Sequence, residues 1–175
     1  MVKVKVYGLA LNLNTNVPIV ILKDRNNSIL PIVIGIFEAQ AIFLALEKTD
    51  FFRPLTHDLF KKVIDAMGGN VLKLEIYALK DNTYFAFLII KLNNKTLRID
   101  CRPSDGIAIA LRADAAIYAS EQILEPSDII SYYEGEEFIN SKRFDKPINK
   151  KEAKEFKNIL DKMTAQNFWK ELNTK

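Results

Sequence analysis

The sequence predicts an α+β fold with two layers, in which helices cover an antiparallel sheet. Three observations indicate this class. Six short apolar stretches have the alternation or the composition of strands. Tight polar turns such as Asn26-Asn27 and Asn93-Asn94 join neighbouring stretches, which favours antiparallel pairing. Apolar residues at helical spacing follow each group of three stretches.

The first group of elements lies between residues 2 and 47. Alternating valines at the start of Val2 to Leu13 predict the first strand, and Pro18 to Leu22 and Ile29 to Ile34 predict the next two. Phe37 to Glu47 predicts a helix with apolar residues on nearly all its faces. We expect this helix to be buried against a sheet or another subunit.

A second helix and a second group of strands follow. Thr56 is the expected N-cap of a helix that ends at Gly68-Gly69. Ser104 is expected to cap a third helix that runs to about Arg112. Four further strands are predicted at Val71 to Leu79, Thr83 to Lys91, Lys95 to Ile99 and Ile117 to Ser120.

The two groups resemble each other, and we interpret them as copies of one strand–strand–strand–helix unit, at about 2–47 and 70–113. The alternative is that two such units share apolar positions by chance. The junctions before the helices differ: Gly35-Ile-Phe-Glu38 in the first copy, and a segment with Asp100, Arg102, Ser104 and Asp105 in the second. Packing alone would not require that difference.

Charge divides the chain into a domain at residues 1–141 and a basic helical appendage at 142–175. The first part carries 15 Lys and Arg against 17 Asp and Glu, whereas the second carries 10 against 5. An excess of this kind could attract a polyanion, although a pair of solvated surface helices would explain it equally simply.

Composition limits the class of protein. No apolar run is long enough to span a membrane, and no Cys/His cluster suggests a structural zinc site. Cys101 is the single cysteine, which excludes an internal disulfide and fits a reducing, cytoplasmic location. We interpret Cys101 as a small buried residue rather than a reactive thiol.

His57, Asp58 and Asp105 are the catalytic candidates. His57 is the only histidine, and imidazole is the side chain that ordinarily exchanges protons near neutral pH. A histidine that makes only a structural hydrogen bond is the alternative. Glu38, Asp100 and Asp105 would supply oxygen ligands for Mg²⁺ or Mn²⁺ if the two junctions meet. Alternatively, Asp105 stabilises a helix start and Asp100 pairs with a nearby arginine.

Arg53, Arg102 and Ser104 are the phosphate-binding candidates. Both arginines precede a proline that leads into a helix, and a guanidinium can grip a phosphate there with two N–H groups. The alternative is that each arginine ties its loop to a carboxylate. Ser104 has no local histidine partner and is interpreted as a helix cap rather than a nucleophile.

These two loops, Arg53-Pro-Leu-Thr-His-Asp-Leu59 and Asp100-Cys-Arg-Pro-Ser-Asp-Gly-Ile-Ala-Ile-Ala-Leu111, resemble the bifunctional nuclease family, and the resemblance extends over residues 1–125. It implies an α+β fold with an antiparallel sheet, a homodimer, and nuclease activity on both DNA and RNA. It supplies no catalytic residues to carry over. The sequence departs from the usual motif at Cys101 and Gly106, and neither departure removes an obvious catalytic group.

Three hypotheses follow. The first is a metal-dependent phosphodiesterase in which carboxylates hold the metal, His57 moves the proton and the arginines clamp the phosphate. The second is a non-catalytic dimeric module that binds a nucleotide, a nucleic acid or a protein. In the third, the polar loops serve only as helix starts.

Overall fold

The computed structural model describes residues 1–11, 17–48, 52–126 and 139–140, and within them the fold is α+β as predicted. The strands are β1 (Val2–Leu11), β2 (Pro18–Lys23), β3 (Ile29–Val33), β4 (Gly69–Lys80), β5 (Thr83–Leu92), β6 (Lys95–Cys101), β7 (Ala116–Ala119) and β8 (Ile139–Asn140). The helices are α1 (Ile36–Leu46), α2 (Thr56–Ala66) and α3 (Pro103–Arg112), followed by a short 3₁₀ turn at Glu121–Ile123.

The strands form one sheet in the order β3-β2-β1-β7-β4-β5-β6, and β8 pairs with β1. All neighbouring strands are antiparallel except β4 and β7, which are parallel. The prediction of a purely antiparallel sheet is therefore wrong at this pair. The reason is that α3 carries the chain from β6 back to the middle of the sheet, and such a crossover returns a strand in the same direction.

Each half of the sheet is a three-stranded antiparallel meander, β1–β3 and β4–β6, with a helix after its third strand. A common origin of the two halves remains a prediction, as does the two-layer description of the whole domain.

A shared hydrophobic core joins the three helices to the strands of the sheet. Ile42 of α1, Ile107 of α3 and Leu74 of β4 are completely buried in it. Each such side chain contributes roughly 1.5–3 kcal/mol through burial. The close approach of α3 depends on Gly106, because a Cβ there would lie 2.3 Å from a Leu74 methyl group. The start of α3 is therefore fixed against the sheet.

Two helix starts differ from the prediction. The N-cap of α2 is Leu55 rather than Thr56, and the N-cap of α3 is Arg102 rather than Ser104. At α2, the Asp58 carboxylate accepts the backbone N–H of Leu55 at 2.9 Å, so an acid inside the helix replaces a capping hydroxyl. At α3, Pro103 occupies the first helical position, where its missing N–H has no cost.

The predicted appendage at 142–175 lies outside the described residues. None of the described helices has the length and apolar composition that a membrane-spanning helix requires.

Candidate active site at three helix starts

The first turns of α1, α2 and α3 each supply a polar side chain to one place on the surface. Glu38 lies in the first turn of α1, His57 in that of α2 and Asp105 in that of α3. The site is assembled because α1 and α2 both pack against α3. The N-terminus of a helix carries partial positive charge and free N–H groups, so this meeting point favours an anion.

Arg102 links two of these helix starts. Its Nε donates to Asp105 Oδ2 at 2.6 Å and its Nη2 to Asp105 Oδ1 at 3.0 Å. Its Nη1 lies 2.9 Å from Glu38 Oε1. The pKa of Arg102 is raised above its already high value, first by the hydrogen bond to Asp105, so the group remains cationic. We call Glu38, His57, Arg102 and Asp105 the helix-start cluster.

His57 joins the cluster through Asp105. Its Nε2 lies 3.4 Å from Asp105 Oδ1, and the two side chains are 18% and 28% exposed. With Nε2 directed at the carboxylate, Nδ1 is the ring nitrogen left for a proton transfer. The arrangement is a histidine oriented by a carboxylate, and an arginine holds that carboxylate in turn.

Asp58 has a different environment from its neighbour His57. One of its oxygens accepts the Leu55 N–H and the other accepts a hydrogen bond from Nε of Arg112. Burial alone would raise the pKa of Asp58, but the hydrogen bonds from Arg112 and from the Leu55 backbone outweigh it and lower that pKa. Asp58 therefore ties α2 to α3, and both of its oxygens are engaged.

Arg112, in the last turn of α3, has a side chain that is only 10% exposed, and its contacts are not evident from the sequence. Besides Asp58, its Nη1 donates to the backbone oxygens of Ala41 and Ala108, each at 2.9 Å. It thus connects α1, α2 and α3 behind the cluster. One feature of the sequence indicates this role: Arg112 lies in the last turn of an apolar helix. An arginine that is buried there needs a carboxylate partner.

Two phosphate-binding candidates lie outside the cluster's contacts. Arg53 is exposed four residues before His57, and within the described residues no ion pair connects it to the cluster. Ser104 is buried in the first turn of α3, one residue after Pro103, and does not occupy the N-cap position. Of the phosphate-binding candidates, only Arg102 is in contact with other predicted site residues.

Asp100 lies away from the other predicted metal ligands. It lies within β6, opposite Phe87, whereas the prediction placed it in a loop after the strand. Side chains of a strand alternate between the two faces. Cys101 faces α3, with its Sγ 3.1 Å from the position of a Cβ on Gly106. Asp100 therefore points to the opposite face of the sheet and does not join Glu38 and Asp105.

The geometry of the cluster bears on the predicted metal site. Within residues 1–11, 17–48 and 52–126, no three His, Cys, Asp or Glu side chains gather as ligands for a cation. Glu38 and Asp105 do approach the same point, but the guanidinium of Arg102 lies between them. A cation would have to displace that guanidinium, so the arrangement does not fit a resident metal. Mg²⁺ or Mn²⁺ dependence stays a prediction for experiment.

The chain is similar to a bacterial protein and to plant proteins. It is 33% identical over 169 residues to a Mycobacterium tuberculosis (strain H37Rv) protein described as "Uncharacterized protein Rv1829", which covers 96% of this chain and 98% of that protein. It is 26% identical over 157 residues to Bifunctional nuclease 1 of Oryza sativa subsp. japonica, covering 82% and 47%. Bifunctional nuclease 1 of Arabidopsis thaliana is 27% identical over 135 residues, covering 74% and 39%.

The chain thus spans less than half the length of these two plant relatives. Residues 20–131 match the bifunctional nuclease domain, a region that contains every member of the helix-start cluster. This confirms the resemblance expected from the two loops. The protein belongs to the bifunctional nuclease domain family.

Proposed function

We propose that this protein is a nuclease that hydrolyses phosphodiester bonds in DNA and RNA, with the helix-start cluster as its active site. The observation that carries the proposal is the contact between His57 Nε2 and Asp105 Oδ1, at a point where three helix N-termini meet. Family membership supports the class of reaction. The relatives from Oryza sativa and Arabidopsis thaliana bear the name bifunctional nuclease.

His57 is proposed to move the proton. Asp105 holds Nε2, so Nδ1 takes a proton from the attacking water as its oxygen bonds to phosphorus. The bond from phosphorus to the leaving ester oxygen breaks, and that oxygen takes a proton from solvent. Asp105 acts as a positioning residue because it fixes the orientation of the ring.

Arg102 is proposed to bind the phosphate. Three of its five N–H groups contact Glu38 and Asp105 in the described structure, and its side chain is 66% exposed. The remaining N–H groups can reach a phosphate oxygen while the carboxylates keep the guanidinium in place. Negative charge that develops on phosphorus would also interact favourably with the three helix N-termini.

The test is cleavage of labelled single-stranded DNA and RNA by the purified full chain. Wild type is compared with His57→Ala, Asp105→Asn and the control Asp65→Asn, each with Mg²⁺, Mn²⁺ or EDTA. Asp65 is a suitable control because it is an exposed carboxylate on α2 that pairs with Lys61 and lies outside the cluster. We expect His57→Ala to lower the rate at least about 100-fold, as loss of a general base does.

Each outcome has a definite meaning. Activity that survives unchanged in both cluster variants would contradict the proposed site. Activity that is lost in EDTA and in both variants would support the metal dependence predicted from the sequence. Nucleic-acid binding without turnover in the wild type would favour a non-catalytic module.

We also infer a homodimer formed through α2. Only Ile64 of this helix is buried, whereas four large apolar side chains, Leu59, Phe60, Val63 and Met67, are 47–64% exposed. Leu59, Val63 and Met67 follow each other at a spacing of four and therefore form a single stripe. An exposed apolar stripe of this kind is typical of an interaction surface.

Sedimentation velocity tests the dimer. We expect the wild type to sediment as a dimer at micromolar concentration and Val63→Glu as a monomer, because a charge in an apolar interface is strongly unfavourable. Lys62→Glu, at an exposed neighbouring position, is the control and should remain dimeric. A monomeric wild type would contradict the inference.

A further inference from the structure

The sheet face opposite the helices carries an ordered row of planar groups. The rings of Tyr77 and Phe87 are stacked, with centroids 4.7 Å apart and planes 8° from parallel. The guanidinium carbon of Arg98 lies 4.4 Å from the centre of the Phe87 ring. These residues stand on β4, β5 and β6, so the row crosses three neighbouring strands. We call Tyr77, Phe87 and Arg98 the aromatic row.

The row ends at the edge of the sheet with an available guanidinium. Arg98 is on β6, the last strand in the sheet order, and its side chain is 60% exposed. Within the described residues its ion-pair partner is Glu75, at 3.9 Å, and Glu75 also binds Lys73 at 2.7 Å. The Arg98 guanidinium therefore lies over the Phe87 ring, while most N–H groups of Arg98 remain available to a ligand.

The surroundings of the row are basic. Strand register places paired residues on the same face. Among the described strands β1, β7, β4, β5 and β6, the basic residues on this face are Lys3, Lys5, Lys73, Lys80, Lys91 and Arg98. Only two acidic residues of these strands, Glu75 and Asp100, share the face with them. The face consequently attracts anions.

Planar side chains within a basic surface match the chemistry of one ligand. A single-stranded nucleic acid offers base faces that stack on aromatic rings and guanidinium planes, and phosphates that pair with Lys and Arg. A duplex keeps its base faces inside. The chain's own residues 142–175 and a second copy of this face would both bring positive charge to a positive surface. We propose that this sheet face binds single-stranded nucleic acid, with Arg98 as its principal stacking plane.

The proposal deepens the proposed nuclease function, on which it rests, by naming the form of the substrate. Strand β6 leads from Arg98 on the sheet edge to Arg102 in the helix-start cluster. Four residues of strand span about 13 Å. A nucleic-acid strand that stacks on Arg98 can therefore pass over the β6 edge and present its next phosphates to Arg102.

Fluorescence anisotropy with the full chain tests the proposal. The probes are labelled 12-nucleotide oligo-dT and oligo-rU and a 12-base-pair duplex, in EDTA over a series of salt concentrations. The variants are Arg98→Gln, Arg98→Lys and Phe87→Leu. Arg25→Gln is the charge-matched control, because Arg25 lies in the turn after β2, near the other edge of the sheet. Thermal unfolding followed by circular dichroism checks that each variant is folded.

The variants separate stacking from charge. Arg98→Gln should weaken single-strand binding at least about fivefold and reduce the slope of log K against log salt by about 0.7, as expected for one lost phosphate contact. Arg98→Lys keeps the charge without the plane, so its affinity should fall while the salt slope is retained. Phe87→Leu should also lower the affinity and retain the salt slope. Arg25→Gln should have the affinity of the wild type.

Failure of this proposal is distinguishable from failure of the proposed function. Unchanged single-strand affinity in folded Arg98→Gln and Phe87→Leu would overturn it, as would equally tight binding of the duplex. If Arg98→Gln changes the oligomeric state but not the affinity for single strands, the proposal is overturned. The face would then bind a second copy of the chain. Variant-sensitive binding by a protein that cleaves nothing would support the proposal and contradict the nuclease function instead.

Discussion

Asp58 contributes to stability through its charge, and this makes the stability dependent on pH. The pKa of Asp58 is lower in the folded protein than its ordinary value of 3.8, so the contribution is full above that value. It is lost as the pH falls through the lower folded pKa. We expect Asp58→Asn to lower the free energy of unfolding by about 1–3 kcal/mol at pH 7, because Arg112 loses its charged partner.

Urea unfolding at pH 7 and at pH 2.5 provides the measurement. The difference between Asp58→Asn and wild type should be smaller at the lower pH. The control Asp65→Asn breaks only a partly exposed pair with Lys61 and should cost less than about 1 kcal/mol. An equal loss at both pH values would show that the charge of Asp58 does not stabilise the fold.

Cys101 should be unreactive in the folded protein. Burial between β6 and α3 raises the pKa of its thiol from 9.0 to about 11, and nearby carboxylates act in the same direction. The thiolate fraction at neutral pH is then about 100-fold lower than that of an exposed thiol. We expect iodoacetamide to label the native protein far more slowly than the urea-unfolded protein. Equal rates in the two states would contradict this.

Most members of the helix-start cluster could be predicted from residue type and position. His57, Arg102 and Asp105 stand at apparent helix starts, and chemically useful side chains are concentrated there. Asp100 was expected in a turn beside Asp105, but strand β6 continues to Cys101. Because side chains of a strand alternate between its two faces, Asp100 lies on the face opposite Cys101. The contact of Asp58 with Arg112 could not be predicted, because the two residues are distant in sequence.

At the scale of the helices and strands, Gly35 positions Glu38. Gly35 is the N-cap of α1 and has an ordinary extended backbone, so alanine is tolerated conformationally. A Cβ there would lie 2.2 Å from Glu38 Oε2, however, and the carboxylate would have to move away from Arg102. We expect Gly35→Ala to lower the cleavage rate with little change in melting temperature.

Comparison with Glu38→Gln checks this interpretation. If both changes act by breaking the pair between Glu38 and Arg102, the double variant should lose no more activity than either single variant. Additive losses would mean that Gly35 acts in another way.

The strands themselves were predictable, but their arrangement was only partly so. Alternating and continuous apolar stretches located β1 to β7 to within a few residues. The parallel pairing of β4 with β7 was missed, because the sequence of β7 carries no information about which strands it will join. That choice depends on the path of α3 across the sheet.

The predicted N-caps Thr56 and Ser104 are wrong. Asp58 in the first turn of α2 and Pro103 in the first turn of α3 stand where a capping hydroxyl was expected to act.

For the molecule as a whole, β7 joins the two meanders. Ile117 is buried and pairs with Val4 of β1 on one side and Leu74 of β4 on the other. We expect Ile117→Ala to lower the free energy of unfolding by about 2–5 kcal/mol, the usual cost of a cavity in a core. Because the core is shared, both halves should still unfold in one transition.

Urea unfolding monitored by circular dichroism tests this, with native-state hydrogen exchange to report on β2 and β5 separately. Leu79→Ala is the control, because Leu79 is 45% exposed and its loss leaves no buried cavity. Two separate transitions in Ile117→Ala would show that the meanders are independent units.

The position of β7 also has a consequence for synthesis on the ribosome. β1 is synthesised before its neighbour β7, which follows more than a hundred residues later. Until then the nascent chain exposes the open edge of a strand rich in valine, which invites pairing with other chains. Closure of the sheet by such distant segments is expected to be slow. Nascent-chain holding factors would therefore have their greatest effect on this protein late in translation, before β7 has been released from the exit tunnel.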